Sequence, residues 1–215
     1  SEFDAYDHIF VASSCFAKKL ENSVDVPVDV LLQCSDTDRF RPSRTDLDEL
    51  ERSEKPLFVG NSRGIFRPVV KWCMELEKDI DIYGGGWEQF VTDERLRGTL
   101  IPNEVLSGFY EYSIAVLCDH WDDMKRDGFI SNRAFDVLAA GGQLVIDDVR
   151  DVDKVLPGGY KKFKNREELD NILRNLEFDT TDTRFERAAW VKKFHSFDVR
   201  ASILSEKILD LLKGG

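Results

Sequence analysis

Short apolar runs, each closed by glycine or a polar turn and each followed by a stretch with helical spacing, succeed one another between residues 56 and 163. That rhythm leaves few architectures open. Strands joined through helices run parallel, and a parallel sheet needs helices over both faces. The strands predicted this way cover residues 57–60, 80–83, 99–101, 114–118, 143–146 and 160–163. Between them, residues 66–78 carry Val69, Val70, Cys73 and Met74 at helical intervals. Asn103 is placed to cap a helix bearing Val105, Leu106, Phe109 and Tyr112, and residues 132–140 read as a helix stopped by Gly141 and Gly142. Further helices are predicted at 152–156, 166–176, 182–193 and 197–213. The fold class is therefore α/β, a Rossmann-like parallel sheet flanked by helices.

Upstream, residues 9–12 and 28–33 read as strands around a short helix at 15–22. The polar stretch 35–55, rich in Asp, Arg, Ser and Pro, reads as a linker with one helical turn at 47–51. The predicted division is residues 1–52, a terminal βαβ unit with its linker, and residues 53–215, one Rossmann-like domain with C-terminal helices.

The charge balance of 30 Lys+Arg against 41 Asp+Glu, net −11, argues against a nucleic-acid binder, because a phosphate backbone is gripped by clustered cations. The longest apolar runs, such as 137–140 and 144–146, fall far short of the roughly 20 residues that span a bilayer, so no membrane span is expected. Cys15, Cys34, Cys73 and Cys118 are scattered, as are His8, His120 and His195. That spacing reads as buried thiols in a reducing, cytoplasmic setting, with no metal site.

Ligands of open parallel sheets bind beyond the carboxyl ends of the strands, which directs attention to residues 60–67, 84–87, 119–133 and 147–149. The first loop, Gly60-Asn61-Ser62-Arg63-Gly64 with Arg67 beyond it, combines a close-approach backbone, a helix N-terminus and two guanidiniums. Those are the parts that hold a diphosphate; the bland alternative is a tight turn with solvated arginines. Its spacing is not the dinucleotide fingerprint, so NAD is not indicated. After the next strand, Gly84-Gly85-Gly86-Trp87 offers either an indole face for a base or sugar, or a core tryptophan beside a glycine turn. The third segment is the most informative. Ser131 or Asn132 caps a helix whose first amides point into the cleft, Arg133 adds a cation, and Asp136 sits one turn in, where a ribose hydroxyl would donate to it. His120, with Trp121, follows a strand at the cleft edge and is read as either a sugar contact or a structural histidine.

These segments resemble, in order and spacing over roughly 120 residues, the C-terminal, nucleotide-sugar-binding half of a GT-B-fold glycosyltransferase. The nearest group is the spore-maturation type, among the group 1-like glycosyltransferases. The carriers are Phe58-Val59-Gly60-Asn61-Ser62-Arg63, Ile82-Tyr83-Gly84-Gly85-Gly86-Trp87, Ile101-Pro102-Asn103-Glu104-Val105-Leu106 with Tyr110, Ser131-Asn132-Arg133-Ala134-Phe135-Asp136 and Ala139-Ala140-Gly141-Gly142. Residues 195–201 are similar to the C-terminal helix of that group, which packs back towards the N-terminal domain. Residues 9–14 look like the end of that domain and 34–42 like the crossover, so residues 1–52 would be its remnant, the rest of it being a missing partner. The resemblance implies transfer of a sugar, most often from a UDP-sugar, to a glycan or protein hydroxyl without a metal. The nucleotide-sugar is then a substrate, and no cofactor is implied. Carried over by position, Gly60, Asn61, Arg63, Arg67, Gly84, Trp87, Pro102, Ser131, Asn132, Arg133 and Asp136 would bind the donor nucleotide, with His120, Asp127, Gly128 and Phe129 beside the sugar. Asp136 stands where a glutamate is usual, and the partner glutamate of the retaining motif falls at Gly128, so no catalytic residue is assigned.

Three rival readings remain. Asp36-Thr37-Asp38 mimics the D-x-D of GT-A enzymes, whose carboxylates hold a divalent metal, although in a crossover the same residues stabilise turns. A non-catalytic Rossmann-like nucleotide-binding or docking module needs no carboxylate at either motif position. Ser13 or Ser131 as a hydrolase nucleophile lacks the G-x-S-x-G setting.

Overall fold

The computed structural model describes residues 2–43, 52–156 and 158–214. Six strands form one fully parallel sheet: β3 (Leu57–Val59), β4 (Asp81–Tyr83), β5 (Leu96–Gly98), β6 (Val116–Cys118), β7 (Leu144–Asp147) and β8 (Tyr160–Phe163), in the order β5-β4-β3-β6-β7-β8. Consecutive residues of the central strands serve opposite faces, as the pleat requires. Leu57, Val116 and Leu144 join one core and Phe58, Leu117 and Val145 the other. With both faces covered these strands have no polar side, which is why they read as unbroken apolar runs.

The first core lies under α3 (Asn103–Tyr112), α5 (Asn132–Ala139) and α8 (Thr181–His195), and the second under α2 (Pro68–Glu75) and α7 (Arg166–Arg174). Local chemistry sets several helix starts. Pro68 occupies the first turn of α2, and the Asn165 side chain accepts from the Glu168 amide at the head of α7. At the other end of α5, the buried Arg187 donates to the carbonyls of Gly141 (3.2 Å) and Gly142 (2.7 Å), where a cation suits the negative helix terminus.

The N-terminal residues form a separate βαβ unit, with β1 (Ile9–Val11) parallel to β2 (Val28–Val30) and α1 (Ser14–Glu21) between them. Helix α9 (Phe197–Gly214) returns to this unit. Arg200 donates to the carbonyls of Leu32 (2.7 Å), Gln33 (3.0 Å) and Phe194 (2.9 Å), and Lys207 pairs with Asp29 at 2.8 Å.

Several expectations need correction. The strand expected at 99–101 lies at β5 instead, where Gly98 accepts the Gly84 amide and Arg95 the Ile82 amide. Asn103 is the first helical residue of α3, and exposed Pro102 takes the cap position without a side-chain bond. The second strand stops at Val30, since the backbone beyond it is engaged by Arg200 and by His195. A helix not anticipated, α4 (Asp122–Asp127), fills what reads as a loop. Its acids lead and its bases trail, and Gly128 ends it at φ 78°, the available signal for a short helix. The turn expected at 47–51 lies outside the described residues.

Candidate functional site

The strand order reverses between β3 and β6, and beyond their carboxyl ends opens a cleft of about 300 Å³. Its walls are the loop after β3, the start of α2, the residues after β6 and the start of α5. Gly60, Asn61, Arg63, Arg67, Ser131, Asn132 and Arg133 are all brought to it, as the sequence predicted. A larger recess of about 610 Å³ lies at the C-terminal ends of α3 and α5, away from the strand ends, and its buried carboxylate, Glu111, is committed to Arg184.

The loop after β3 is held in place by the one after β4. Asn61 Oδ1 accepts the Gly85 amide at 2.7 Å, the Ser62 amide and hydroxyl donate to the carbonyls of Gly85 and Gly86, and the Trp87 indole N–H donates to the Gly60 carbonyl at 2.6 Å. An added Cβ at Gly84, whose φ is 144°, would sit 2.1 Å from the Gly60 oxygen. The triple glycine is thus a seat for the loop after β3. Trp87 is fully buried against Phe58 and offers no face to a ligand, which corrects its assignment as a base platform. Neither Gly84 nor Pro102 lines the cleft.

Two cations stand ready there. Arg63 is exposed, at φ 53° in a tight turn closed by the Ile65 amide on the Ser62 carbonyl, a backbone region that L-residues adopt at a cost. The Arg133 guanidinium crosses the strand end so closely that a Cβ at Gly60 would lie 2.7 Å from its Nη2. Among the described residues neither arginine has a carboxylate partner. Arg67, by contrast, is buried and engaged. Its Nη2 donates to the carboxylate (2.6 Å) and carbonyl (2.9 Å) of Asp119, and its guanidinium stacks 4.0 Å from the Trp121 ring centroid. Burial pushes the Asp119 pKa up, against the pull of Arg67.

His120 is not a sugar contact in this arrangement. Its buried ring places Nδ1 2.6 Å from Asp147 Oδ1, while Nε2 accepts the Ser131 amide at 2.9 Å. The proton therefore sits on Nδ1 and both nitrogens are used. The other residues placed beside the sugar face the N-terminal unit. Asp127 binds Lys19 and Arg126, and its carbonyl accepts from Ser13. Gly128 packs on Ser13 and Cys15, and Phe129 on Phe16. Asp136 does not line the cleft; its Oδ1 accepts from Ser35 Oγ at 2.7 Å, and burial raises its pKa to about 6. Asp36, of the D-x-D-like triplet, accepts the amides of Asp38 and Arg39, as a turn-forming aspartate does.

Asp119, Met124 and Asp147 fall within the stretches 119–133 and 147–149 to which the strand ends directed attention, but the sequence assigned none of them a role in the site. The two aspartates are acids at the carboxyl ends of central strands, and that position was the signal available.

The chain matches no protein-family model and no curated protein sequence. A parallel sheet in the order described, flanked by helices and with its cleft at the reversal, defines a doubly wound Rossmann-like fold. More narrowly, it is the fold of the C-terminal domain of GT-B glycosyltransferases. Sucrose-phosphate synthase from Thermosynechococcus elongatus superposes over 99% of this chain and 60% of its own, with TM-score 0.71 and 12% identity. A UDP-forming α,α-trehalose-phosphate synthase from Burkholderia vietnamiensis does so over 98% and 61%, with TM-score 0.67 and 10% identity. AviGT4, a glycosyltransferase involved in avilamycin A biosynthesis, covers 98% and 67%, with TM-score 0.59 and 16% identity. The chain thus spans about 60% of the length of the two synthases.

Proposed function

We propose that this cleft binds the diphosphate of a UDP-sugar, and that the chain is the donor-binding part of a metal-independent, cytoplasmic glycosyltransferase of the spore-maturation type. The observation that carries the reading is the pair of guanidiniums, Arg63 and Arg133, that line one cleft without carboxylate partners among the described residues. The first amides of α5, on Asn132 and Arg133, have no intrahelical acceptor and border the same cleft. Preorganised donors of this kind stabilise the charge that develops on a departing nucleotide diphosphate, the role a metal plays elsewhere. One structural neighbour is a UDP-forming synthase, which favours UDP over other nucleotides. In this reading residues 53–215 carry the donor and residues 1–52 belong to the acceptor side, where a glycan or protein hydroxyl attacks. Asp136 would meet the ribose through Oδ2, its Oδ1 being held by the Ser35 hydroxyl. A non-catalytic nucleotide-binding or docking module is the second reading, favoured by the absence of a side chain at Gly128 and the engagement of Asp136.

Calorimetric titration with UDP, GDP, ADP and TDP, with and without EDTA, separates these accounts. Selective, EDTA-insensitive binding of UDP at micromolar concentration is expected. EDTA-sensitive binding would instead implicate a metal at Asp36 and Asp38, and no binding at all would leave the docking module.

A further inference from the structure

We propose that the dipeptide Asp119-His120, at the end of the central strand β6, is the positioning device of the cleft, each side chain tethering the N-cap of one of the two helices that open into it. The proposal rests on the diphosphate reading of that cleft and adds the residues that hold its two walls in register.

Helices α2 and α5, the two that open into the cleft, both start without a side-chain capping bond. Arg67 caps the first and Ser131 the second. A helix terminus without a local cap is free to fray or shift by a fraction of a turn. Here both caps are tied instead to consecutive residues of one rigid strand end. Asp119 takes the Arg67 guanidinium through its carboxylate and its carbonyl, and His120 Nε2 takes the Ser131 amide. Cys118 adds a third contact, its Sγ lying 3.4 Å from the Ser131 hydroxyl.

The histidine is itself fixed from the neighbouring strand. Asp147 accepts the imidazole N–H on one carboxylate oxygen and the His120 backbone amide on the other, at 2.6 and 2.9 Å. That pair of hydrogen bonds to one carboxylate sets both the ring plane and the tautomer, leaving Nε2 as an acceptor aimed at Ser131. Arg133 lies two residues beyond Ser131, so the point at which its guanidinium leaves the helix follows from where the Ser131 amide is held. Misplacement by about 1 Å from a distance can cost on the order of a hundredfold in rate where reacting groups must be aligned, and a guanidinium aimed at a ligand from a tethered helix start is exposed to the same kind of loss.

Two substitutions divide the two bonds of the ring. His120→Gln keeps an acceptor at the reach of Nε2 and loses the partner of Asp147. His120→Asn keeps a donor for Asp147 and leaves Ser131 without an acceptor. UDP affinity within about threefold of wild type is expected for the glutamine variant, and a loss of at least tenfold for the asparagine variant, with both melting at similar temperatures. Hydrogen exchange of the ligand-free protein provides a readout independent of UDP: the amides at the head of α5 should exchange fast in the asparagine variant and slowly in the glutamine variant. Equal affinities, or a loss that follows melting temperature rather than the acceptor, would overturn the proposal. If wild type binds no nucleotide, the diphosphate reading fails, and equal exchange in the two variants is then the result that sinks the tether. Ser131→Pro removes the same bond from the cleft side, at a φ of −70° that proline accepts. It should reproduce the asparagine phenotype even if the histidine variants do not fold.

Discussion

The close approach of Arg133 to Gly60 can be tested by moving the guanidinium without removing it. Gly60→Ala places a Cβ 2.7 Å from Nη2, where ordinary contact begins at 3.4 Å, so the guanidinium must retreat by about 0.7 Å. It is the free end of a flexible side chain, and Gly60 is not among the residues at positive φ, so the fold should lose under about 1 kcal/mol. Affinity should suffer more. Arg133→Ala deletes charge-assisted hydrogen bonds worth about 1.5–3 kcal/mol, or about 10- to 150-fold in Kd for UDP. Gly60→Ala, which only displaces the group, should cost about 3- to 10-fold. In the double variant the alanine at 60 should add nothing beyond about 0.5 kcal/mol, because the group it displaces is gone. Calorimetry on the four proteins, with urea denaturation as the control for stability, measures each corner of the cycle. An unchanged affinity for Arg133→Ala, or a full Gly60→Ala effect on that background, would refute the reasoning.

The buried Asp136, raised to about 6 by desolvation, gives stability that is complete below its unfolded pKa of 3.8 and is lost as pH rises through 6. Asp136→Asn should therefore stabilise the fold more at pH 8 than at pH 5 in urea titrations; equal gains at both would count against it. His195 behaves oppositely, its pKa lowered to about 4 by burial and Arg200, so its contribution is complete above pH 6.5 and fades towards pH 4. In the Asp136→Asn variant that acid loss should stand uncompensated as a steeper fall between pH 6 and 4. Glu111→Ala strands the fully buried Arg184 and should cost about 3–5 kcal/mol in chemical denaturation, a loss below 1 kcal/mol showing that water reaches the site. Gly84→Ala drives a Cβ into the Gly60 carbonyl at a φ of 144° and should cost more than about 3 kcal/mol or abolish folding; a soluble variant of native melting temperature would contradict the loop seat.

What the sequence disclosed was local and periodic. The apolar runs that became β3, β6 and β7 could be read because strands buried on both faces leave no polar interruption, and β8 and α5 were anticipated almost to the residue. The cleft followed from topology, and seven of its lining residues from glycine, cation and cap chemistry. The failures share a cause. Trp87 reads identically whether its indole is stacked on a ligand or buried, and the bond that decides, to the Gly60 carbonyl, spans 27 residues. Asp136 was read as a ribose ligand from its place on α5, and nothing local announced that Ser35, 101 residues away, donates to its Oδ1. His120 and Asp147 meet only because β6 and β7 pair with Cys118 opposite Ile146, a register that residue types do not specify.

The grip of Arg200 on the carbonyls of Leu32 and Gln33 spans 168 and 167 residues and so orders events during synthesis. Residue 200 follows all six strands of the large sheet in the chain, so the carbonyls of Leu32 and Gln33 gain this partner only after every strand of that sheet has been made. The tie between β2 and α9 is therefore a late, non-local contact, and the amides of β1 and β2 should become protected after those of β3, β6 and β7 when this chain refolds.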